Sequence, residues 1–510
     1  MKKIVTIVAD GIGDISCIPF AYKTPLEHTP HPFLDALVES GVTGLMDTLE
    51  PGFACGSDTA HMILFGYNPR GIYRGRGAFE ALGGGINMKA GDIAFKSNFC
   101  TYDENTNMVL TRRADRVMEA IGPDLASSIN GVTLPNHPDI EVTCKYLCEH
   151  RCAVRIRGPG MSGEVTGTDP LVDYKELQKS RPLDNTPEAQ RTADIINELS
   201  QTMFNILNVH PINEQRRKDD KNPANLLSLR GPGIQISLTP FTELHPKILP
   251  LAIAPTAIVA GVALTAAMDV FACPHGTGDY FTDFEMKADF LSKIVETTPH
   301  NFCFLHVKAT DDTGHDGRPQ LRSEIIERVD RMVGLLLSRL VHSRHEIILQ
   351  FTADHSTPIC VKDHSCEPVP FFYTHLSNFH ARFEAKPTSE AGDRWTKTDP
   401  AEWAAGFDAE KHRFAVVDGW SNSDYDTAES EVHESEPDFR ETGGCTRKDC
   451  VHLVRRETPL NEDTLPPLAR GILKPDSAKS YTETVCGKGC LGRFPGLETM
   501  KFNEKLLTSE

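Results

Sequence analysis

"KKIVTIVADGIGD", from Lys2 to Asp14, decides the fold class. Ile4 to Ala9 is an apolar, largely β-branched run, the texture of a strand covered on both faces within a parallel sheet. It stops on Asp10, and Gly11 and Gly13 follow at once. Open α/β sheets collect their functional groups at the carboxyl ends of such strands. Asp10 stands at one of those ends.

Two other stretches end in the same way. "NFCFLHVKATDD" (Asn301–Asp312) delivers Asp311, and "HEIILQFTADHS" (His345–Ser356) delivers Asp354 and His355. Between them, "SEIIERVDRMVGLLLSRLV" repeats apolar residues at helical spacing, which completes a β–α–β unit. The expectation is an α/β fold whose parallel-rich central sheet is flanked by helices. From about Gly71 to Pro255 the texture changes. Glycine-rich "RGRGAFEALGGG", the short strands "CAVRIRG" and "GIQISL" and an amphipathic helix after Thr186 predict a smaller inserted α+β domain. The core is then 1–70 and 256–510, the inserted substrate-binding domain is 71–255, and the hinges lie near Gly71 and Pro255. "NEQRRKDDKNPAN" (Asn213–Asn225) reads as a solvated insertion, and the acidic stretch 383–482 as a surface insertion.

Composition narrows the partners. With 39% hydrophobic and 24% charged residues, the 510-residue chain can bury a large core. A net charge of -18 disfavours nucleic acid. The apolar run at the N-terminus is too short for a signal peptide or a membrane span. "AIVAGVALTAAMDVF" (Ala257–Phe271) reads as a buried helix, so a cytoplasmic protein without a membrane partner is expected. The 14 cysteines are scattered and read as free thiols.

The chemistry concentrates in few residues. "ACGSDTAHMILFGYNP" places Ser57 after Gly56 at the start of a helical pattern, where backbone N–H groups favour a phosphate or a developing alkoxide. A serine there is more often a helix cap. Asp311 and His315 are four apart, Asp354 and His355 are adjacent, and His364 follows in "KDHSCEPVPF". Carboxylate and imidazole together suit manganese or zinc better than magnesium alone. Three strand-end sets and a turn serine outweigh the reading of any one as a surface pair.

These residues also carry a resemblance. "VADGIGD", "GSDTAHMILFGYNPRGIYRGRGAFEA", "HVKATDDTGHDG", "TADHSTP" and "HSCEPVPF" resemble, in order along the chain, the archaeal-type 2,3-bisphosphoglycerate-independent phosphoglycerate mutases of the alkaline phosphatase superfamily. The resemblance implies an alkaline-phosphatase-like core, interconversion of 2- and 3-phosphoglycerate through a phosphoserine, and no need for 2,3-bisphosphoglycerate. It implies two divalent ions, manganese first, with magnesium, cobalt and zinc as alternatives. Asp311, His315 and His364 would hold one; Asp10, Ser57, Asp354 and His355 would hold the other, with Ser57 as nucleophile. Asp312 is the alternative to Asp311. The anionic substrate calls for cationic clamps, and Arg76, Arg112, Arg113 and Arg230 are the candidates, with Lys96 and Lys287 behind them. Asp115 stands in "TRRADR" where the family pattern has glycine, and Asp115 or Asp92 is the candidate acid/base. A homo-oligomer is compatible with all of this. The rivals are a phosphatase or another mutase on the same core, or a silent binding relative.

Overall fold

The computed structural model describes residues 1–387, 404–414, 451–456, 468 and 473–509. Strands β1 (Lys2–Ala9) and β2 (Val42–Asp47) come first. β3 (Ile93–Asp103), β4 (Met108–Thr111), β5 (Glu141–Cys148), β6 (Arg151–Arg157), β7 (Lys175–Glu176) and β8 (Leu226–Ile234) follow. β9 (Pro250–Ile253), β10 (Asp269–Phe271), β11 (Phe302–Val307), β12 (Glu346–Thr352) and β13 (Val369–His375) come next. β14 (Phe383–Pro387), β15 (Val451–Arg455) and β16 (Gly492–Pro495) complete the set. The larger sheet has eight strands in the order β10-β9-β11-β1-β12-β13-β2-β16. From β10 to β12 all pairings are parallel, while β13 runs antiparallel to both of its neighbours. This is the parallel-rich α/β sheet that the strand ends predict.

The helices that matter here are α1 (Pro32–Glu39), α2 (Ser57–Leu64), α3 (Pro187–Asn208), α4 (Pro211–Lys218), α5 (Ala257–Thr265), α6 (Phe284–Thr297), α7 (Ala309–Asp316), α8 (Pro319–Leu340) and α9 (Glu498–Thr508). β1 sits between β11 and β12, and Ile4, Val5, Ile7 and Val8 have no exposed surface. A strand with parallel neighbours on both edges and helices over its faces has no solvated side, which is why its sequence does not alternate. Arg322 on α8 is fully buried too. Its guanidinium donates to the carbonyls of Gly11 at 2.7 Å, of Ile12 at 2.9 Å and of Thr310, and so pins the turn after β1 to the start of α7.

A second, six-stranded sheet contains β3 to β8, with β3 between β6 and β8. Its own hydrophobic core includes Phe95, Phe99, Val154, Ile156, Leu199 and Leu229. α3 starts after Thr186, whose hydroxyl accepts from the Ala189 amide.

Some local expectations change. Ala257–Phe271 is not one helix: α5 ends at Thr265 and β10 starts at Asp269. "GIQISL" is mostly outside a strand, because β8 ends at Ile234 and its paired Leu227 and Leu229, upstream of that stretch, fill the second core. Asn213–Asn225 is largely exposed, as its sequence suggests, but it is ordered and anchored. α4 occupies its first half, and buried Asn213 donates to the carbonyls of Leu207 and Ala224 while accepting from the Ala224 amide. Of the stretch 383–482, the β14–β15 pair is seen, and most of the rest lies outside the described residues. Among the described residues no helix is long and apolar enough to cross a membrane.

One buried carboxylate makes the fold sensitive to pH. Asp330 on α8 accepts from the amides of Leu34 at 2.8 Å and Phe33 at 3.3 Å, at the start of α1. Burial pushes its carboxyl from the ordinary 3.8 up to about 7. Because the folded value is the higher one, its contribution to stability is full below the unfolded value and is lost as pH rises through the folded one. Asp330→Asn should therefore gain roughly 2 kcal/mol relative to wild type between pH 5 and pH 8. Thermal melts at the two pH values check this, and an equal effect at both would contradict it.

Candidate active site

Three adjacent strands, β11, β1 and β12, bring their carboxyl ends together, and the acid–imidazole residues meet there. Asp10 follows β1, Asp354 and His355 lie just past β12, and Asp311 and His315 sit four apart on α7. Asp311 and His315 are thus one helical turn apart, which puts both side chains on one face. Ser57 is the first residue of α2, after Gly56 at the cap. His364 comes from the loop between β12 and β13.

Two groups form. In one, Asp311 lies 3.3 Å from His315 Nε2 and 3.7 Å from His364 Nε2, and the two imidazoles are 3.2 Å apart. In the other, His355 Nε2 lies 3.5 Å from Asp10, 3.3 Å from Asp354 and 3.3 Å from Ser57 Oγ. The groups abut, since the rings of His355 and His364 stack with centroids 3.7 Å apart.

The donor set fits divalent cations. Asp10 Oδ1 and Asp354 Oδ2 are buried with no hydrogen-bond partner among the described residues. Each imidazole is fixed through Nδ1, which leaves Nε2 toward the carboxylates. The partner is the Lys362 carbonyl for His315 at 3.1 Å, the Cys55 carbonyl for His364 at 2.9 Å, and the Thr357 hydroxyl for His355 at 3.1 Å. Metal-binding histidines are commonly oriented in this way. Burial holds His355 and His364 in the neutral, ligand form, the latter down to about 3. In a third cluster, His61, His306 and Asp354, each imidazole already uses one of its ring nitrogens. His61 Nδ1 bonds the Ser57 carbonyl at 2.7 Å and His306 Nε2 bonds Asp10 at 2.9 Å, so these two support the groups from behind.

Lys308, which sequence reading missed, lies between the groups. Its ammonium is 3.2 Å from Asp10 and also bonds Asp311. Burial alone would raise both acids, but the Lys308 charge holds them below the ordinary carboxylate range. Asp354 goes the other way, raised by burial and by the Asp10 charge. The signal was present in "HVKATDD": Lys308 precedes Asp311 by three residues, a helical neighbour once α7 is recognised.

A cationic cluster stands beside these groups. Arg76 and Lys96 both contact Glu80, at 2.8 and 3.6 Å, and Lys96 pairs with Arg230 across β3 and β8. Burial, then the charge of Arg76, depresses Lys96 well below the usual lysine range, and Arg151 and Arg230 add to it. Arg76 feels the carboxylate of Asp58, next to Ser57, and Arg151 that of Asp312, next to Asp311. The cluster therefore reaches both sides of the acid–imidazole groups. Arg113 lies near Arg151 and belongs with it. Arg151 was not singled out in the sequence.

Other candidates are placed differently. Arg112 is committed to Asp169 through two hydrogen bonds, 2.6 and 3.0 Å, which satisfies its guanidinium inside the protein. Asp92 is likewise held by both ends of Arg157, and Asp115 by Arg216 at 3.0 Å. Lys287 is fully buried on α6, without a hydrogen-bond partner among the described residues, and its titratable neighbours are Cys273, Asp279 and Asp283.

Comparison with known proteins shows which family the chain resembles. Residues 39–213 match the family model described as 2,3-bisphosphoglycerate-independent phosphoglycerate mutase. Proteins of that name from Methanosphaera stadtmanae and Saccharolobus islandicus are each 39% identical to this chain, over 73% and 72% of it and 88% and 87% of their own lengths. A solved structure from Pyrococcus horikoshii matches with a TM-score of 0.67 at 27% identity, covering 100% of this chain and 98% of its own.

The position of Lys308 predicts a measurable effect. In chelator-stripped protein, Lys308→Met should lower stability by roughly 3 kcal/mol, the scale for leaving a buried charge uncompensated. Added manganese should close most of that gap in melting temperature. Equal melting of the two stripped proteins would show that Lys308 is not the counter-ion of Asp10 and Asp311.

Proposed function

The chain belongs to the family of 2,3-bisphosphoglycerate-independent phosphoglycerate mutases, and from that premise we propose that it interconverts 2- and 3-phosphoglycerate through a phosphoserine on Ser57. The observation that carries this reading is the place of Ser57. Its hydroxyl lies 3.3 Å from His355 Nε2, at the seam between the acid–imidazole groups and the cationic cluster.

In this reading Asp311, His315 and His364 hold one divalent ion, and Asp10, Ser57, Asp354 and His355 hold a second. When bound, such ions lower the pKa of a serine hydroxyl and offset charge on a transferring phosphoryl group. The chain's own residues do the rest. The α2 N-terminus directs its free amides toward the Ser57 side, where an anion is favoured. Arg76, Arg113, Arg151, Arg230 and Lys96 grip the phosphate and carboxylate of the substrate. Arg112 serves by bracing Asp169, and Lys287 by adding buried positive charge near His306. Residues 71–255 act as the inserted substrate-binding unit against a core made of 1–70 and 256–510.

A mutase must beat water to its own phosphoserine. Water is present at tens of molar, so glycerate has to be held at an effective concentration within the ~10⁵–10⁸ M reached by well-oriented groups. The cationic cluster supplies that hold.

The test is an enolase-coupled assay of purified protein with 3-phosphoglycerate and no 2,3-bisphosphoglycerate. Turnover is expected, and chelation should abolish it with manganese or cobalt restoring it. Ser57→Ala should lose at least ~10³-fold in rate, the scale for removing a nucleophile, while keeping its fold. Near-wild-type turnover in Ser57→Ala would rule out the phosphoserine route. Release of inorganic phosphate as the main product would instead make the protein a phosphatase.

A further inference from the structure

The six-stranded sheet is tied to α7 at a point that neither the ion-binding groups nor the cationic cluster accounts for. Arg116 lies between Ala114 and Met118, both buried in the second core. Its guanidinium leaves that core and donates to Asp316 at 2.6 Å. Asp316 is the last residue of α7, directly after His315. The other oxygen of Asp316 accepts from the phenol of Tyr280, which packs in the core of the larger sheet. One carboxylate is thus gripped from both sides, by a cation anchored in one core and a phenol anchored in the other.

The same guanidinium donates to Glu149 at 3.1 Å, and Glu149 also pairs with Arg151 at 3.0 Å. A continuous chain of charges therefore runs from Asp316 through Arg116 and Glu149 to Arg151, in the cationic cluster. The Arg116 side chain is 35% exposed and that of Asp316 is 21% exposed. An ion pair this open to water is modest in strength, suited to a contact that forms and releases in each cycle rather than to a permanent staple.

We propose that Arg116 and Asp316 form a positioning clasp that keeps the cationic face shut over α7 while the phosphoryl group resides on Ser57. The inference rests on the mutase reading. In that state the phosphorus–oxygen bond to Ser57 breaks in one of two ways. A glycerate hydroxyl attacks, passes its proton on to the Ser57 oxygen, and becomes phosphoglycerate. Alternatively water attacks, its proton ends on the Ser57 oxygen, and inorganic phosphate is released. The clasp acts on the choice between them, because glycerate is lost and water admitted only when the two faces part.

The experiment measures isomerisation and phosphate release together, from 3-phosphoglycerate with manganese-loaded enzyme. Arg116→Gln and Asp316→Asn should each raise the ratio of phosphate released to isomer formed about fivefold or more, the low end of coupling effects. Arg116→Lys keeps the charge and should stay near the wild-type ratio. Tyr280→Phe removes only a hydroxyl, and should move the ratio in the same direction even if the charge variants fold poorly. An unchanged ratio in folded variants, or an equal fall in both rates, would overturn the clasp while leaving the mutase standing. A wild-type protein that does not isomerise at all overturns the functional reading, and the clasp with it.

Discussion

Three carboxylates, Asp10, Asp311 and Asp354, are buried without exposed surface within one small volume. Like charges in a low-dielectric interior repel strongly, and taking even one of them out of water is costly. Everything nearby answers that constraint. Lys308 supplies positive charge between two of the acids, and His306 and Thr357 hydrogen-bond their oxygens at 2.9 and 2.6 Å. Arg322 holds the backbone of the Asp10 turn against the start of α7, so the acids cannot drift apart to relieve the strain between them. A place that gathers this much negative charge is built to receive cations.

The opposite problem is set a short way off. Arg76, Lys96, Arg151 and Arg230 crowd together near Glu80 and Glu149, and burial, then the charge of Arg76, depresses Lys96. Positive charges held so close are relieved by an anion, and guanidinium groups match both phosphate and carboxylate in shape. Asp58 and Asp312 touch this cluster electrostatically, each one residue along from a member of the acid–imidazole groups. A small molecule with two anionic groups relieves the cationic half, while the acid–imidazole half calls for cations.

The strands that position the chemistry were legible because buried parallel strands leave an unbroken apolar run. Asp10, Asp311 and Asp354 could each be found by asking where such a run stops. α7 was not legible. "ATDDTGHD" is short and polar, and no apolar residue in it repeats at helical spacing, since its helix is stabilised by what it packs on and by Arg322. Arginines posed a different difficulty. Arg112 and Arg113 are neighbours in sequence, yet only Arg112 has a carboxylate, Asp169, waiting 57 positions further on. Arg151, at the start of an ordinary-looking strand, carries no local mark at all. Which cations are already neutralised is a tertiary fact, and one-dimensional reading cannot supply it.

The position of β1 between β11 and β12 bears on how the molecule is made. Its register joins Ile4 to Phe302 on one edge and to Ile348 on the other. A ribosome must therefore deliver well over half of the polypeptide before the first strand meets either neighbour. The six-stranded sheet needs nothing beyond Ile234, so it can close while β1 still waits as a bare apolar ribbon. Such a ribbon is the kind of segment that other nascent chains pair with. Lys2 and Lys3 at its start, and the paired glycines after Asp10, border that run with charge and with turn-forming backbone. The strand that leads into Asp10 therefore cannot take its place in the sheet until β11 or β12 has been made.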